Sequence, residues 1–204
     1  MSIINVNEIG PISLGSTVTV TAGSTLKLPT GSKVVGTDTG SIRAPGTIIQ
    51  VQNVIKQDTF VTTSASYGVV TGLSITITPK YQTSTFLIIP SVNGNAQNRG
   101  GTIELRRDGS RVSTLMPTGN SNRGPTNIGG LWTGDGSGDG GMLFGRTIHL
   151  YDTPNTTSAI TYAVYARTID PNSYGTRINY AYDDTDSDDF IRSVSTLTVM
   201  EVAQ

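Results

Sequence analysis

Residues 72–78 read Gly-Leu-Ser-Ile-Thr-Ile-Thr, with an apolar side chain at every second position. Successive side chains of a strand point to opposite faces, so Leu73, Ile75 and Ile77 share one face while the serine and the threonines share the other. Such alternation is typical of an antiparallel strand that buries one face and turns the other to water. This segment therefore predicts a sheet that is covered on one side.

The same alternation recurs at Thr102–Arg107, and it places Glu104 on the face that we expect to be solvated. The dipeptide Asp108-Gly109 follows directly. It predicts a two-residue hairpin turn, because both central positions of that turn need positive φ. The sequence therefore predicts a hairpin between Thr102–Arg107 and a second strand at Ser110–Leu115.

Strand patterns continue at short intervals through residues 47–204, as in a β-sandwich. Ten strands over this segment leave no room for a helical layer, so the sequence predicts an all-β, antiparallel sandwich. The predicted strands are Thr47–Ile55, Thr59–Thr63, Gly72–Thr78, Thr85–Val92, Thr102–Arg107, Ser110–Leu115, Met142–Tyr151, Ser158–Ile169, Gly175–Tyr182 and Val194–Val202.

Two segments depart from the one-sided pattern. Pro117–Gly141 is rich in glycine and predicts a long exposed loop, and loops of this length are often functional. The last strand carries apolar groups on both faces between Leu197 and Val202, and Glu201 interrupts one of them. A two-faced strand belongs in the middle of a sheet or against a neighbouring subunit.

Residues 1–46 have a different organisation, an eight-residue repeat that begins with Gly-Ser at Gly15–Val18, Gly23–Leu26 and Gly31–Val34. Eight residues make one short strand and one turn, and the resulting ribbon has one apolar stripe without a second layer to cover it. Three copies that wind around a common axis would bury the stripe, and so would a neighbouring protein. A flexible Ser/Thr/Gly tail is the alternative.

Ala44-Pro45-Gly46 interrupts the strand patterns and marks the predicted domain boundary. The sequence therefore predicts an N-terminal attachment arm at residues 1–46 and a β domain at residues 47–204.

Composition excludes several classes of function. Charged residues make up 14% of the chain and the formal net charge is −1, so there is no basic field to attract nucleic acid or anionic lipid. The chain has no cysteine, which excludes disulfides and thiolate metal sites. No apolar run approaches the roughly 20 residues of a membrane span, and Met1–Asn5 does not resemble a signal peptide. We expect a soluble protein, made in the cytoplasm of its producer, without membrane insertion.

The sequence predicts no catalytic residues and no cofactor. His149 is the only histidine, and the chain lacks the nucleophile elbow of serine hydrolases. A glycosidase needs only two carboxylates, but the only glutamates are Glu8, Glu104 and Glu201, and the aspartates cluster in predicted loops. Polysaccharide cleavage therefore stays the least favoured alternative.

Two clusters of side chains are candidates for ligand binding. Asp184, Asp186 and Asp188 have the alternate spacing at which a loop aims carboxylates at one calcium ion, although the EF-hand pattern is not met. The alternative is a solvated acidic loop whose repulsion is relieved by an arginine such as Arg192. Tyrosines also concentrate in the C-terminal third, where they suit either sugar binding or ordinary packing; they are Tyr162, Tyr165, Tyr174, Tyr180 and Tyr182.

Four segments of the sequence resemble a group of virion structural and tail-fibre-like proteins of marine and cyanobacterial phages. They are Pro45–Val51, Ser74–Lys80, Ser84–Ile89 and Leu197–Val202. The globular part also looks like the trimeric jelly rolls of the tumour-necrosis-factor and complement-C1q type. The resemblance implies a ten-strand jelly roll in a three-fold assembly, with the N-terminal arm docking it onto the particle.

Together these observations predict a homotrimeric fibre or capsid-decoration subunit of a phage virion, bound to other virion proteins through residues 1–46. A receptor-binding fibre tip that recognises host surface carbohydrate is the second hypothesis. A polysaccharide depolymerase is the third.

Overall fold

A computed structural model of the protein describes residues 30–31, 44–96, 100–118, 124–131, 142–169, 175–181, 184–188 and 190–204. The chain divides into two units, Met1–Val35 and Gly36–Gln204. The predicted repeats of the arm lie almost wholly outside the described residues, so the arm and its boundary at residue 46 stay predictions. All strands described below belong to the second unit.

Eleven strands form two antiparallel sheets in the described part of the chain. Sheet A has the order β1-β11-β4-β10-β2, with β7 and β8 also paired to β4, and sheet B has the order β3-β9-β5-β6. The strands are β1 Ile48–Lys56, β2 Phe60–Thr62, β3 Gly68–Ile77, β4 Thr85–Ala96, β5 Gly101–Arg107, β6 Gly129–Leu131, β7 Phe144–Thr147, β8 Leu150–Asp152, β9 Ile160–Thr168, β10 Thr176–Ile178 and β11 Ser195–Val202.

The chain crosses repeatedly between the two sheets. β3 lies in sheet B, β4 in sheet A, β5 and β6 in sheet B, β7 and β8 in sheet A, and β9 again in sheet B. This interleaving is that of a jelly roll, and it confirms the predicted all-β antiparallel jelly-roll sandwich. The terminal strand β11 lies between β1 and β4, which is the first of the two positions that its sequence predicts.

The core fills the space between the inner faces of the sheets. Leu73, Ile75 and Ile77 of β3 are buried as the alternation predicts, and they belong to the same cluster as Phe86 of sheet A. The Phe86 ring lies 5.9 Å from that of Tyr162, which joins the two layers. Burial of each large apolar side chain stabilises the folded state by about 1.5–3 kcal/mol relative to leaving it exposed. This burial is the main contribution to the stability of the fold.

Two residues fix the corner where β4, β10 and β11 meet. A Cβ on Gly94 would lie 2.3 Å from the carbonyl oxygen of Arg177, so only glycine permits this approach of β4 to β10. Asn179 ends β10 with a φ of 70° and donates through Nδ2 to the carbonyls of Lys56 and Asp58. Its Oδ1 accepts a hydrogen bond from Ser195 at 2.6 Å. Asn179 therefore links the ends of β1, β10 and β11.

Three predicted segments differ from the observed elements. Asp108 and Gly109 have the positive φ of the predicted turn, 50° and 76°, but Ser110–Leu115 is not a strand. Ser110 makes one bridge to Arg107, and a 3₁₀ turn follows at Ser113–Leu115. The predicted strands Met142–Tyr151 and Gly175–Tyr182 are also shorter in the structure, where β7 and β8 replace the first and β10 replaces the second.

The prediction of one long exposed loop at Pro117–Gly141 is wrong for its middle. Asn127 and Ile128 are buried there, and β6 follows and pairs with β5. The Asn127 side chain accepts from the Leu105 amide at 2.8 Å and donates to its carbonyl at 3.0 Å, so this segment satisfies the backbone of β5.

In the ranges that the structure covers, no helix is long and apolar enough to cross a membrane.

Candidate functional site

The outer face of sheet A is built from the side chains of β1, β11, β4 and β8 that point away from the core. The register places Val51, Met200, Leu87 and Tyr151 in one continuous row across these four strands. Directly opposite residues of antiparallel strands point to the same side, so the row forms an apolar band. Val51 is 54% exposed and Tyr151 63% exposed.

No outward side chain of these four strands is charged, whereas Arg177 of the adjacent β10 lies opposite Asn95 on the same side of sheet A. The other outward members on the four strands are all apolar, hydroxyl or amide residues; they are Ile48, Asn53, Ile55, Thr85, Ile89, Ser91, Asn93, Asn95, Thr196, Thr198 and Val202. Soluble surfaces are normally covered with Lys, Glu, Asp and Arg, and loss of charged residues marks the core of a protein interface.

Two pairs of polar side chains on this face are directed at one another. Asn53 Nδ2 donates to Thr198 Oγ1 at 2.7 Å, and Thr147 Oγ1 donates to Ser91 Oγ at 2.8 Å. Such internal pairing lowers the cost of removing the face from water, because the polar atoms keep their partners. The face is therefore suited to burial against another protein surface.

The outer face of sheet B has the opposite character. Three arginines lie close to the ring of Tyr67; they are Arg106 of β5, Arg167 of β9 and Arg111 from the segment after the turn. Their guanidinium carbons lie 5.0, 5.0 and 5.3 Å from the ring centroid, in that order. The centroid of the Tyr165 ring lies 4.7 Å from the guanidinium carbon of Arg106. We call these five residues, together with Glu104 and Thr102, the arginine cluster.

Glu104 lies beneath the arginines and the Tyr67 ring of this cluster. The prediction that its carboxylate is exposed to solvent is therefore wrong. Its side chain is fully buried and accepts hydrogen bonds from Arg106 Nε at 2.7 Å and from Arg111 Nη2 at 2.8 Å. The alternation correctly places Glu104 on the outer face, but the two arginines and the Tyr67 ring cover it. The hydroxyl groups of Tyr67 and Thr102, which are hydrogen-bonded to each other at 2.8 Å, belong to the same cluster.

A second buried carboxylate, Asp152, joins the two sheets. Its Oδ2 accepts from Arg107 Nη1 at 2.6 Å and from the Tyr162 hydroxyl at 2.7 Å. Burial raises the pKa of Tyr162 well above its usual range, and the hydrogen bond to Asp152 acts in the same direction. The phenol therefore stays protonated and donates, as a structural contact between β8 and β9.

The third buried carboxylate is Glu201, the residue that interrupts the apolar pattern of the last strand. It accepts from the Lys80 amide at 2.7 Å and from the Ser84 hydroxyl at 2.6 Å, and it also contacts the Gln50 side chain. Glu201 therefore closes the turn between β3 and β4. The oxygens of the Glu201 carboxylate are therefore hydrogen-bonded to groups that hold the fold together.

The acidic loop is described for Asp184, Asp186 and Asp188. Asp184 binds Arg192 through both oxygens, at 3.0 Å to Nε and 2.7 Å to Nη2, and this contact holds the pKa of Asp184 below its usual range. Asp186 and Asp188 are exposed. Within the described ranges, no group of three or more histidine, aspartate or glutamate side chains is placed to hold a metal ion.

Millimolar calcium is therefore expected to raise the melting temperature no more than an equal ionic strength of sodium chloride does. Arg192 already neutralises Asp184, and diffuse screening acts without geometry. A native-state site would instead add about 2.7 kcal/mol at a hundredfold excess over Kd. Thermal unfolding followed by circular dichroism distinguishes the two results, and a calcium-specific rise that vanishes in Asp186→Asn would contradict this expectation.

The remaining candidates from the sequence are dispersed. His149 is exposed in the turn between β7 and β8, where it lines a shallow groove with Leu115, Met116 and Tyr151. Among the tyrosines, Tyr162 is a core residue, Tyr165 joins the arginine cluster and Tyr180 lies against Arg177, whereas Tyr174 and Tyr182 lie outside the described residues. The arginine cluster has no recognisable motif, since its members come from three separate segments.

No protein-family model matches the chain, and no curated protein matches its sequence.

Proposed function

We propose that this chain is a structural protein of a bacteriophage virion, a homotrimeric fibre or capsid-decoration subunit that residues 1–46 anchor to the particle. The observation that carries the proposal is the uncharged part of the outer face of sheet A formed by β1, β11, β4 and β8, with its apolar row of Val51, Met200, Leu87 and Tyr151. In this proposal the face is buried between copies of the chain.

The size of this face supports self-association. The four strands β1, β11, β4 and β8 have 9, 8, 12 and 3 residues. At about 4.8 Å between strands and about 3.3 Å per residue they span an area of order 500 Å² before side-chain relief is added. A standard interface buries about 800 Å² on each partner, and monomers rarely expose a contiguous apolar patch larger than a few hundred Å². The face therefore has the extent and chemistry of the core of an interface.

The number of three copies is supported by the arm and by the resemblance to trimeric jelly rolls. The repeat at residues 15–34 gives each chain one apolar stripe, and three stripes around a common axis cover one another. Closed cyclic symmetry also prevents open-ended aggregation of the sheet faces.

A receptor-binding fibre tip that recognises carbohydrate is the second candidate, and the arginine cluster favours it. The cluster presents cations, aromatic rings and hydroxyls on the side of the sandwich opposite to the proposed interface. A depolymerase has less support, because Glu104, Asp152 and Glu201 are all occupied by structural partners.

Deletion of residues 1–46 is expected to separate folding from particle attachment. A chain that begins at Thr47 keeps every described strand and every residue of the core cluster, so it is expected to give the same β-rich circular dichroism. It is expected to be absent from purified virions, as measured by immunoblotting against the full-length protein. Incorporation at normal copy number would place the anchor elsewhere, and antibody labelling of intact particles would locate the full-length protein on head or tail.

A further inference from the structure

The arginine cluster holds more positive charge than its own contacts neutralise. One carboxylate, Glu104, faces the guanidiniums of Arg106 and Arg111. Arg167 completes the set, and among the described residues it forms no ion pair. Like charges held against one ring repel one another, and an anion from solution would relieve that repulsion.

The guanidiniums are fixed in place by the protein. Arg106 contacts the rings of both Tyr67 and Tyr165, and Arg111 contacts both oxygens of the buried Glu104. Arg167 donates through Nε to Thr102 Oγ1 at 3.1 Å. A ligand that binds here pays little conformational entropy for ordering these long side chains, which raises affinity.

Donor groups of the cluster remain accessible. The Arg111 side chain is 38% exposed, and Arg167 is partly exposed, with only its Nε hydrogen-bonded among the described residues. Two terminal nitrogens of a guanidinium form a planar fork that matches the oxygens of a carboxylate or sulfate. The Tyr67 hydroxyl, which is hydrogen-bonded to the buried Thr102, lies close to Arg167, because Arg167 Nε donates to the same Thr102 Oγ1.

We propose that the arginine cluster is a binding site for the carboxylate or sulfate group of an acidic polysaccharide. Such a polymer presents one anionic group among several hydroxyls on each charged sugar, which matches one cationic cluster with neighbouring hydroxyl groups. Nucleic acid is a poorer match, because phosphates follow one another every 3.4 Å along a strand and need a continuous cationic track. The outer face of sheet B carries no other cation on its described strands.

This site does not depend on the virion assignment. The arginine cluster lies on sheet B, whereas the proposed interface lies on sheet A. Binding to a polysaccharide and assembly into trimers are therefore separate properties, and each is measured without the other.

The test measures binding of the full-length protein to polygalacturonate, dextran sulfate, neutral dextran and poly-glutamate by biolayer interferometry. The wild-type protein is expected to bind at least one of the two acidic polysaccharides and not neutral dextran. Arg167→Gln is expected to weaken that binding at least tenfold, because a charge-assisted contact is lost. Arg167→Lys keeps the charge without the fork and is expected to lie between the two.

The matched control is Arg192→Gln, which removes the same charge from the exposed pair with Asp184 and is expected to change affinity less than twofold. Circular dichroism confirms that each variant is folded, and the assembly mass is measured in parallel. The proposal is overturned if neither acidic polysaccharide binds, if Arg167→Gln and Arg192→Gln weaken binding equally, or if poly-glutamate binds as tightly as the polysaccharides.

Discussion

Replacement of Val51 by aspartate is expected to convert the assembly into monomers. Val51 is more than half exposed in the single chain and lies at one end of the apolar row, so the fold itself tolerates the change. In the assembly the carboxylate would be buried against apolar neighbours without a partner, which costs several kcal/mol for each interface. The association constant is therefore expected to fall by at least a hundredfold, measured by size-exclusion chromatography with light scattering at micromolar concentration.

The matched control is Val69→Asp, which makes the same substitution on the outer face of sheet B. Val69 is 44% exposed and lies opposite Tyr165, away from the proposed interface. This variant is expected to keep the wild-type mass. A folded Val51→Asp protein with the wild-type mass would exclude the outer face of sheet A as the interface.

Removal of the Asp152 carboxylate is expected to cost about 3–5 kcal/mol of the free energy of unfolding, because it leaves the Arg107 charge and the Tyr162 hydroxyl without their common partner. Domains of this kind are stable by only about 5–15 kcal/mol, so Asp152→Ala is expected to be close to unfolding. Urea denaturation at one fixed protein concentration measures the loss, since the stability of an oligomer depends on concentration.

Two controls separate this ion pair from general effects of substitution. Tyr162→Phe removes one hydrogen bond and is expected to cost about 1 kcal/mol. Asp186→Ala removes an exposed carboxylate and is expected to stay within about 0.5 kcal/mol of the wild-type protein. If Asp152→Ala unfolds at the same urea concentration as Asp186→Ala, the carboxylate is not a structural link between the sheets.

The strands were predictable because alternation depends on neighbouring residues alone. Leu73, Ile75 and Ile77 point into the core as their spacing indicates, and the Asp108-Gly109 turn has the expected backbone. The segment that follows the turn was not predictable, because β5 pairs with β9 and β6 instead. That choice depends on residues distant in the sequence.

The two candidate surfaces were harder to predict from the sequence than the strands. The apolar row of sheet A joins residues 51, 87, 151 and 200, and only the strand register shows that they are neighbours. Glu104 illustrates the same limit, since alternation gave its face but not the arginines that cover it. Long-range pairing decides both surfaces, and a local pattern does not contain it.

Sedimentation equilibrium of the full-length protein at micromolar concentration tests self-association most directly. The expected mass is three times the 21.5 kDa of one chain, because in the proposed trimer three copies bury the outer face of sheet A and the apolar stripe of the arm. A mass of 21.5 kDa that does not rise with concentration would contradict the assembly, since the uncharged face would then be exposed to water in the working protein.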